Sequence, residues 1–434
     1  MAVTDTAPLD DADRTAAEVA WDIDPLLDGE DVDAWLDRAD SVATELEPAR
    51  GTVATMDVDR LVEVMTALGE LDEALGRAAN WASLRFAVDS NDPANGATLQ
   101  RVQERATATM QRLVFFDLEW AALDDERVEE LLADERLAFC EHHLRSSRRY
   151  RDHLLSEPEE KILADKNVTG AAAWNRLFDE TMAALKFKVG DEELGLEGTL
   201  NLLSDRDAKK REAGFQGLSR TLHDNSRLFT HITNVLAKDK EISDRWRGYE
   251  DIADSRHMAN SVERDVVDAL QKAVEDAYPR LSHRYYAMKA KWFGKDQLNA
   301  WDRNAPLPDS DDRTFDWETA KTTVMDAYAR FSPDLARVAE PFFGSGWIDA
   351  PVTDGKMNGA FAHPTVPSAH PYLMLNYLGK ARDVMTLAHE LGHGVHQVLA
   401  GPQGALMAPT PLTLAETASV FGEMLTFRSM LEKT

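Results

Sequence analysis

The most informative stretch of the chain is VMTLAHELGHGVHQVLA, residues 384–400. Its apolar residues recur at the three- and four-residue spacing of an amphipathic helix, which predicts a buried helix here. His389, Glu390 and His393 form the pattern H-E-x-x-H. Because positions i and i+4 lie on one face of a helix, both imidazoles can bind a single metal ion, with the Glu390 carboxylate beside it. The stretch therefore predicts a helix that carries part of a metal site.

Zinc is the ion that this pattern favours. It takes tetrahedral nitrogen and oxygen ligands, and a hydrolytic site keeps one position for water, whose pKa falls from 15.7 toward about 7. We therefore predict one zinc ion per chain, held by His389 and His393, with Glu390 as the general base. The alternative is two structural histidines on an ordinary helix. Gly392 and Gly394 argue against it, since each weakens a helix by about 1 kcal/mol unless something must approach its backbone closely.

A third ligand must come from another segment, and LTLAETASVFGEMLTF, residues 412–427, follows with helical periodicity. Glu416 is the preferred ligand. Its competing role is a capping box with Thr413, in which the carboxylate would reach back to the N-cap amide. Glu423 lies seven residues further on the same helical stripe, as an alternative ligand or as an acceptor for a ligand histidine N–H. We expect His396 to be a hydrogen-bonding neighbour of the site rather than a ligand.

The rest of the chain predicts a mainly α-helical protein with little sheet. A hairpin is expected around Gly190, and a β-rich patch at 345–378. Within this patch, HPYLMLNY (370–377) and GAFAHP (359–364) are alternative candidates for an edge strand beside the site. A connector at 301–312 and the following amphipathic segments complete the pattern. Helical periodicity covers the following ranges: 59–84, 97–121, 126–145, 158–185, 206–244 and 262–290.

Composition excludes several classes of protein. The 434 residues carry 48 Lys and Arg against 77 Asp and Glu, a formal charge of −29, so nucleic acid is not an expected partner. The first lysine is Lys161, and no long apolar run or secretory start is found, so we expect no membrane association. Cys140 is the single cysteine, which suits a reducing compartment. We therefore expect a cytoplasmic protein.

These motifs together resemble the oligoendopeptidase F family of thimet oligopeptidase-like zinc metallopeptidases. The resemblance rests on six segments, the first of which contains the H-E-x-x-H motif. They are TLAHELGHGVHQ (386–397), LAETASVFGE (414–423), GKMNGAFAHP (355–364), HPYLMLNY (370–377), GWIDAP (346–351) and SEPEEKILADKNVTGAAAWNRLFDE (156–180). The H-E-x-x-H motif alone occurs in many peptidases, whereas its combination with AETAS is quite specific.

The resemblance implies a mainly α, multi-helical zincin-type fold, with a small β-sheet beside the HExxH helix and a deep channel for short peptides. It implies an N-terminal helical domain at 1–200 that ends in the hairpin, and a catalytic domain at 201–434. By position, His389, His393 and Glu416 match the zinc ligands, and Glu390 matches the general base of a metalloendopeptidase that cleaves oligopeptides.

Family members continue beyond the last helix into a segment that helps to bind substrate and to stabilise the tetrahedral intermediate. We therefore expect the catalytic domain to be C-terminally incomplete. This leaves an alternative function, a catalytically silent protein that binds zinc and peptides. The sequence does not predict an oligomeric state.

Overall fold

The computed structural model describes residues 15–308 and 313–432, and most of them are helical. The described residues form two compact units. Of the described residues, the first unit comprises 15–173, 245–249 and 314–432, and the second comprises 174–244, 250–308 and 313. The domain boundary expected at residue 200 falls inside the second unit, so the division at that point remains a prediction.

The α-helices of the described residues follow one another in short steps. The first nine are α1 Val32–Leu46, α2 Val58–Val88, α3 Pro93–Gln111, α4 Val114–Ala121, α5 Asp125–Leu132, α6 Glu141–Ser147, α7 Glu157–Thr169, α8 Ala171–Ala184 and α9 Leu196–Leu202. The next nine are α10 Ala208–Asp224, α11 Ser226–Arg247, α12 Asp254–Ala259, α13 Arg264–Ala277, α14 Ser282–Trp292, α15 Trp317–Phe331, α16 Pro333–Gly344, α17 Ala381–Ala400 and α18 Leu412–Glu432.

Several segments that the periodicity predicts as single helices are broken in the structure. The segment 97–121 divides into α3 and α4, and 206–244 divides into α10 and α11 at Asn225. The Asn225 side chain donates a hydrogen bond to the Thr221 carbonyl oxygen, which caps the end of α10. A break of this kind depends on a single capping contact. The apolar residues on either side keep their helical spacing, so the periodicity alone does not reveal the break.

Helix α2 is the longest element of the first unit and forms one wall near the site. The Asp57 side chain caps it by accepting a hydrogen bond from the Arg60 amide at 2.9 Å. Leu61, Met65 and Leu71 are fully buried against α1 and α3, as the helical periodicity of 59–84 predicts. This packing fixes the helix rigidly in the core of the first unit.

Two small sheets complete the fold. In the second unit, β1 (Phe187–Val189) pairs antiparallel with β2 (Glu192–Leu194), and Gly190 provides the left-handed turn residue with φ +64°. This confirms the predicted hairpin. In the first unit, β3 (Ile348–Asp349), β4 (Phe361–His363) and β5 (Tyr372–Met374) form a sheet in the order β3-β5-β4, with β3 parallel and β4 antiparallel to β5.

The sheet of the first unit packs against α17, and α15, α16 and α18 surround the same helix. Tyr328, Phe342, Leu373, Leu387 and Leu391 form the buried centre of this cluster. The prediction of a mainly α chain with a small sheet beside the HExxH helix is confirmed. None of the helices in the described ranges is long and apolar enough to cross a bilayer.

Candidate metal centre and its cavity

Helix α17 presents the H-E-x-x-H motif from the buried core. His389 and His393 lie one turn apart, with ring centroids separated by 5.0 Å. Leu387, Ala388 and Leu391, on the opposite face, are fully buried and hold the helix against its neighbours. Both imidazoles therefore project from the same face of α17, a helix that is packed into the core.

The two glycines of the motif helix allow its neighbours to come close. A Cβ at Gly392 would lie 2.7 Å from the carbonyl oxygen of Ala418 and 2.9 Å from the Cα of Ser419, both on α18. A Cβ at Gly394 would lie 2.7 Å from the ring of Phe342 on α16. The two glycines predict a close approach, and the structure shows it, since the backbone of α18 lies directly against α17 at Gly392.

The approach of α18 brings Glu416 to the histidines. Glu416 Oε2 lies 3.4 Å from His389 Nε2 and 3.6 Å from His393 Nε2. Four ligand atoms at about 2 Å around a tetrahedral zinc ion stand roughly 3.3 Å apart, so these separations fit such an ion. Among the described residues, His389, His393 and Glu416 form the group whose ligand atoms all lie within 4.8 Å of one another.

The capping-box alternative for Glu416 does not match the structure. Helix α18 begins at Leu412, so Thr413 lies inside the helix and cannot be its N-cap. The Glu416 carboxylate instead accepts a 2.8 Å hydrogen bond from the hydroxyl of Ser419, one turn further along α18. This hydrogen bond holds the carboxylate toward the histidines.

Glu423 lies on the other side of His389. Its Oε2 atom is 3.3 Å from His389 Nδ1, while His389 Nε2 faces Glu416. A proton on Nδ1 shared with a carboxylate leaves Nε2 as a lone-pair donor, which is the tautomer that a metal requires. Of the two roles considered for Glu423, the geometry therefore favours the acceptor for a ligand N–H.

Burial shifts the pKa values of His393 and Glu390 in opposite directions. Burial lowers the pKa of His393, which keeps its imidazole neutral, although the Glu416 carboxylate acts in the opposite direction. Burial raises the pKa of Glu390 to about 7, and the negative charge of Glu416 adds to the rise. A carboxylate with a pKa near neutrality can both accept and return a proton at physiological pH.

A cavity of about 610 Å³ is lined by His389, His393 and Glu416, together with Glu390. Its walls come from α2, from β4 and the loop after it, from α17 and from the start of α18. His396 and Gln397 line the wall formed by α17, and Gln397 Nε2 donates a hydrogen bond to the carbonyl oxygen of Ala362 on β4 at 3.1 Å. His396 thus neighbours the site, as expected.

Strand β4 forms the edge of the sheet on the side of this cavity. Its Ala362 pairs with Leu373 of β5, and Phe361 and Ala362 line the cavity. Of the two candidate edge strands, GAFAHP is therefore the edge. HPYLMLNY instead contains the interior strand β5, which is paired on both sides.

Asp72 and Gln397 line the cavity although the sequence analysis did not identify them. Asp72 lies on α2, more than 300 positions before the motif, between Glu70 and Glu73. An acidic residue in such a context is typical of a solvated helix face, so no local signal marks it. Gln397 follows the motif by one helical turn, and its position on the face of His393 was the available signal.

The chain matches two family models. Residues 201–434 match the model described as peptidase family M3, and residues 119–187 match the one described as oligopeptidase F. Oligopeptidase PepF of Bacillus subtilis is 24% identical over 399 residues, which cover 89% of this chain and 59% of that protein. Group B oligopeptidase PepB of Streptococcus agalactiae is 24% identical over 385 residues, or 86% of this chain and 63% of that protein.

Solved structures show the same fold. Oligoendopeptidase F from Enterococcus faecium superposes with a TM-score of 0.66 at 18% identity, covering 95% of this chain and 68% of that one. PZ peptidase A bound to an inhibitor gives a TM-score of 0.72 at 14% identity, covering 92% and 68%. The chain thus spans about 60% of the length of the first curated relatives it matches, 59% and 63%.

Fold and site together define a helical protein with a metallopeptidase-type constellation, in which an H-E-x-x-H helix meets a carboxylate from the following helix. The family model extends over more than half of the residues, including both of these helices. The chain belongs to peptidase family M3.

Proposed function

We propose that this protein is a zinc-dependent endopeptidase that hydrolyses internal bonds of short oligopeptides. The observation that carries the proposal is the convergence of His389 Nε2 and His393 Nε2 on Glu416 Oε2, at 3.4 and 3.6 Å. Two imidazoles and one carboxylate leave one tetrahedral position open, which is the ligand count of hydrolytic zinc sites. The relatives named oligopeptidase and oligoendopeptidase support the same reaction class.

His389, His393 and Glu416 would hold the zinc ion. When bound, zinc supplies a Lewis acid that polarises a carbonyl group and lowers the pKa of water toward about 7. Glu423 orients His389 through Nδ1, and Ser419 orients Glu416. These two contacts orient two of the three ligand residues, His389 and Glu416, before the ion arrives, which strengthens binding.

Glu390 moves the proton in this proposal. Its carboxylate lines the cavity beside the ligand group and is nearly buried, at 7% exposure. It takes a proton from the attacking water and returns it to the leaving amine, which requires a pKa close to the working pH. Its position in the cavity wall, next to His389 on α17, places it beside the water that the metal would hold.

The peptide is expected to lie along β4. An extended chain can add to the open edge of a sheet through main-chain hydrogen bonds, while its side chains occupy the cavity. Strand β4 places that edge next to Glu390, and the Gln397 side chain, which donates a hydrogen bond to the carbonyl oxygen of Ala362, must be displaced before a peptide amide can pair there. A cavity of about 610 Å³ accepts a few residues of a peptide and excludes a folded domain.

Replacement of Glu390 by Gln tests the proposal. We expect the Glu390→Gln variant to retain zinc, measured by mass spectrometry of the metal, and to lose about 100- to 10,000-fold in turnover of an internally quenched oligopeptide. Cleavage at the wild-type rate would contradict the mechanism.

A cytoplasmic location belongs to the same proposal, since a single cysteine suits a reducing compartment.

The second candidate function is a catalytically silent protein that binds zinc and peptides. It requires the same His389, His393 and Glu416 group and the same cavity, and it differs from the first candidate only in the absence of turnover. In that case the zinc-loaded wild type binds the oligopeptide in a calorimeter but cleaves it no faster than Glu390→Gln. Cleavage that depends on Glu390 would exclude this candidate.

A further inference from the structure

One carboxylate in the wall of the cavity has no partner. Asp72, on α2, lines the same cavity as His389 and Glu416. Within the part of the chain that the structure describes, its carboxylate makes no hydrogen bond or ion pair. Its neighbour Glu73 differs, because it pairs with Arg77 and accepts a hydrogen bond from Ser368. Asp72 is thus the unpaired acid of this helix face.

The surroundings of Asp72 make its negative charge costly. Burial raises the pKa of Asp72 to about 6, and the negative charge of Asp117 on α4 adds to the rise. A carboxylate in this position is still mostly ionised at pH 8, without a counter-charge. A cation that enters the cavity would supply that counter-charge and would stabilise the ionised form of the Asp72 carboxylate.

The wall beside Asp72 is closely packed, and the nearby Arg77 is engaged by other groups. Gly76, one turn after Asp72, lies against the loop that follows β4, where its Cβ would come within 2.5 Å of Val366. The guanidinium of Arg77 is directed away, since it donates to the carbonyl oxygen of Leu26 at 2.6 Å. The carboxylate therefore stays open to whatever occupies the cavity.

We propose that Asp72 is a specificity-determining residue, which binds a cationic group of the peptide in the cavity over His389, His393 and Glu416. The cationic group is an ammonium or guanidinium, supplied either by a Lys or Arg side chain or by the free N-terminus of the peptide. This inference rests on the proposed function, because it names the substrate class of the same site.

The test compares matched peptides on the zinc-loaded protein. A series of internally quenched peptides carries one Lys or, at the same position, norleucine, and each is made with a free or an acetylated N-terminus. We expect the best Lys or free-amine peptide to exceed its neutral counterpart by about 10- to 100-fold in kcat/KM, mostly through KM. The two arms of the series identify which cationic group is bound.

Asp72→Asn should reduce this ratio to near one. Asp72→Ser provides a second neutral variant should the amide disturb folding. Glu70→Gln is the matched control, because Glu70 is an exposed acid on the same helix outside the cavity. We expect Glu70→Gln to keep the ratio and the basal activity. A ratio that survives in both Asp72 variants, or that falls equally in Glu70→Gln, would overturn the inference.

A binding measurement separates this inference from the proposed function. Calorimetry of the same peptide pairs with Glu390→Gln, and with Glu390→Gln combined with Asp72→Asn, reports affinity without turnover. If no peptide is cleaved but the cationic peptides bind more tightly only when Asp72 is present, the proposed function fails and the inference stands. If neutral and cationic peptides are cleaved and bound equally well, the inference alone fails.

Discussion

The hydroxyl of Tyr328 on α15 donates a buried 2.7 Å hydrogen bond to the carbonyl oxygen of Ala388, the residue that precedes His389 on α17. Gly422 of α18 lies at the same point, where a Cβ would come 2.8 Å from the Ala388 carbonyl oxygen and would also meet the Tyr328 ring. The helices α15, α17 and α18 thus meet next to His389. The junction sets the distance between α17 and α18, and hence between His389 and Glu416.

Gly422→Ala should disturb both stability and metal binding. The added methyl has no room between Tyr328 and the Ala388 carbonyl group, and overpacking of this kind costs about 1–3 kcal/mol. Because α18 must shift to accept the methyl group, Glu416 moves with it, and zinc affinity should fall. Urea unfolding and a zinc competition titration with a chromophoric chelator measure the two effects.

Gly69→Ala is the matched control for this prediction. Gly69 is inside α2, and a Cβ there would lie 3.9 Å from Leu406, an ordinary contact. This variant should leave zinc affinity unchanged and raise the free energy of unfolding by up to about 1 kcal/mol, because Ala favours helix more than Gly. Equal behaviour of the two variants would show that Gly422 does not set the helix spacing.

The two acids around His389 should respond differently to neutralisation. Glu416→Gln removes the carboxylate that stands 3.4 and 3.6 Å from the two imidazole Nε2 atoms. Glu423→Gln removes only the acceptor for His389 Nδ1. We expect zinc affinity to fall by about 10- to 100-fold in Glu423→Gln and by more in Glu416→Gln. Competition titration measures both, and the reverse order would make Glu423 the ligand.

The sequence predicted those parts of the site that depend on local pattern. His389, Glu390 and His393 are fixed relative to one another by the helix itself, so their arrangement follows once the helix is recognised. Gly392 marked a close approach because glycine is unfavourable inside a helix. Glu416 is the expected third ligand because the next helix offers few acids, and the structure brings its carboxylate within 3.4 and 3.6 Å of the two imidazole Nε2 atoms.

Contacts between distant segments could not be predicted in the same way. Asp72 lies among other acids on α2, and only the packing of α2 against the loop after β4 places it in the cavity wall. The edge strand was ambiguous, since GAFAHP and HPYLMLNY both have short β-type patterns and the pairing order depends on the whole sheet. Helix breaks such as that at Asn225 depend on one capping contact.

A buried ion-pair network stabilises the second unit. Asp302, whose side chain is fully buried, accepts a 2.8 Å hydrogen bond from Arg211, which is 2% exposed, and a 2.5 Å hydrogen bond from Lys295. Burial alone would raise the pKa of Asp302, but the hydrogen bonds from Arg211 and Lys295 outweigh it and lower the pKa to about 2. The carboxylate therefore remains ionised in the folded protein at pH values where an unfolded chain would be protonated.

This network should make the second unit sensitive to acid. Because the folded pKa of Asp302 is below its unfolded value of about 3.8, its contribution of about 2 kcal/mol is fully present above pH 4 and is lost as the pH falls toward 2. Asp302→Asn should cost about 3–5 kcal/mol at pH 7, because Arg211 stays buried without its counter-charge. Urea unfolding followed by circular dichroism at pH 7, 4 and 2.5 measures the difference between wild type and variant.

That difference should shrink as the pH falls from 4 toward 2, because the unfolded wild type then binds a proton at Asp302, whereas the variant has no carboxyl group to titrate there. Other acids titrate alike in both proteins, so the difference isolates Asp302. Asp296→Asn is the control, because Asp296 is an exposed acid in the same unit and its replacement should change stability little at any pH. A difference that stays constant from pH 7 to pH 2.5 would mean that the Asp302 carboxylate does not titrate below its usual range, and the network would then stabilise the unit by packing rather than by charge.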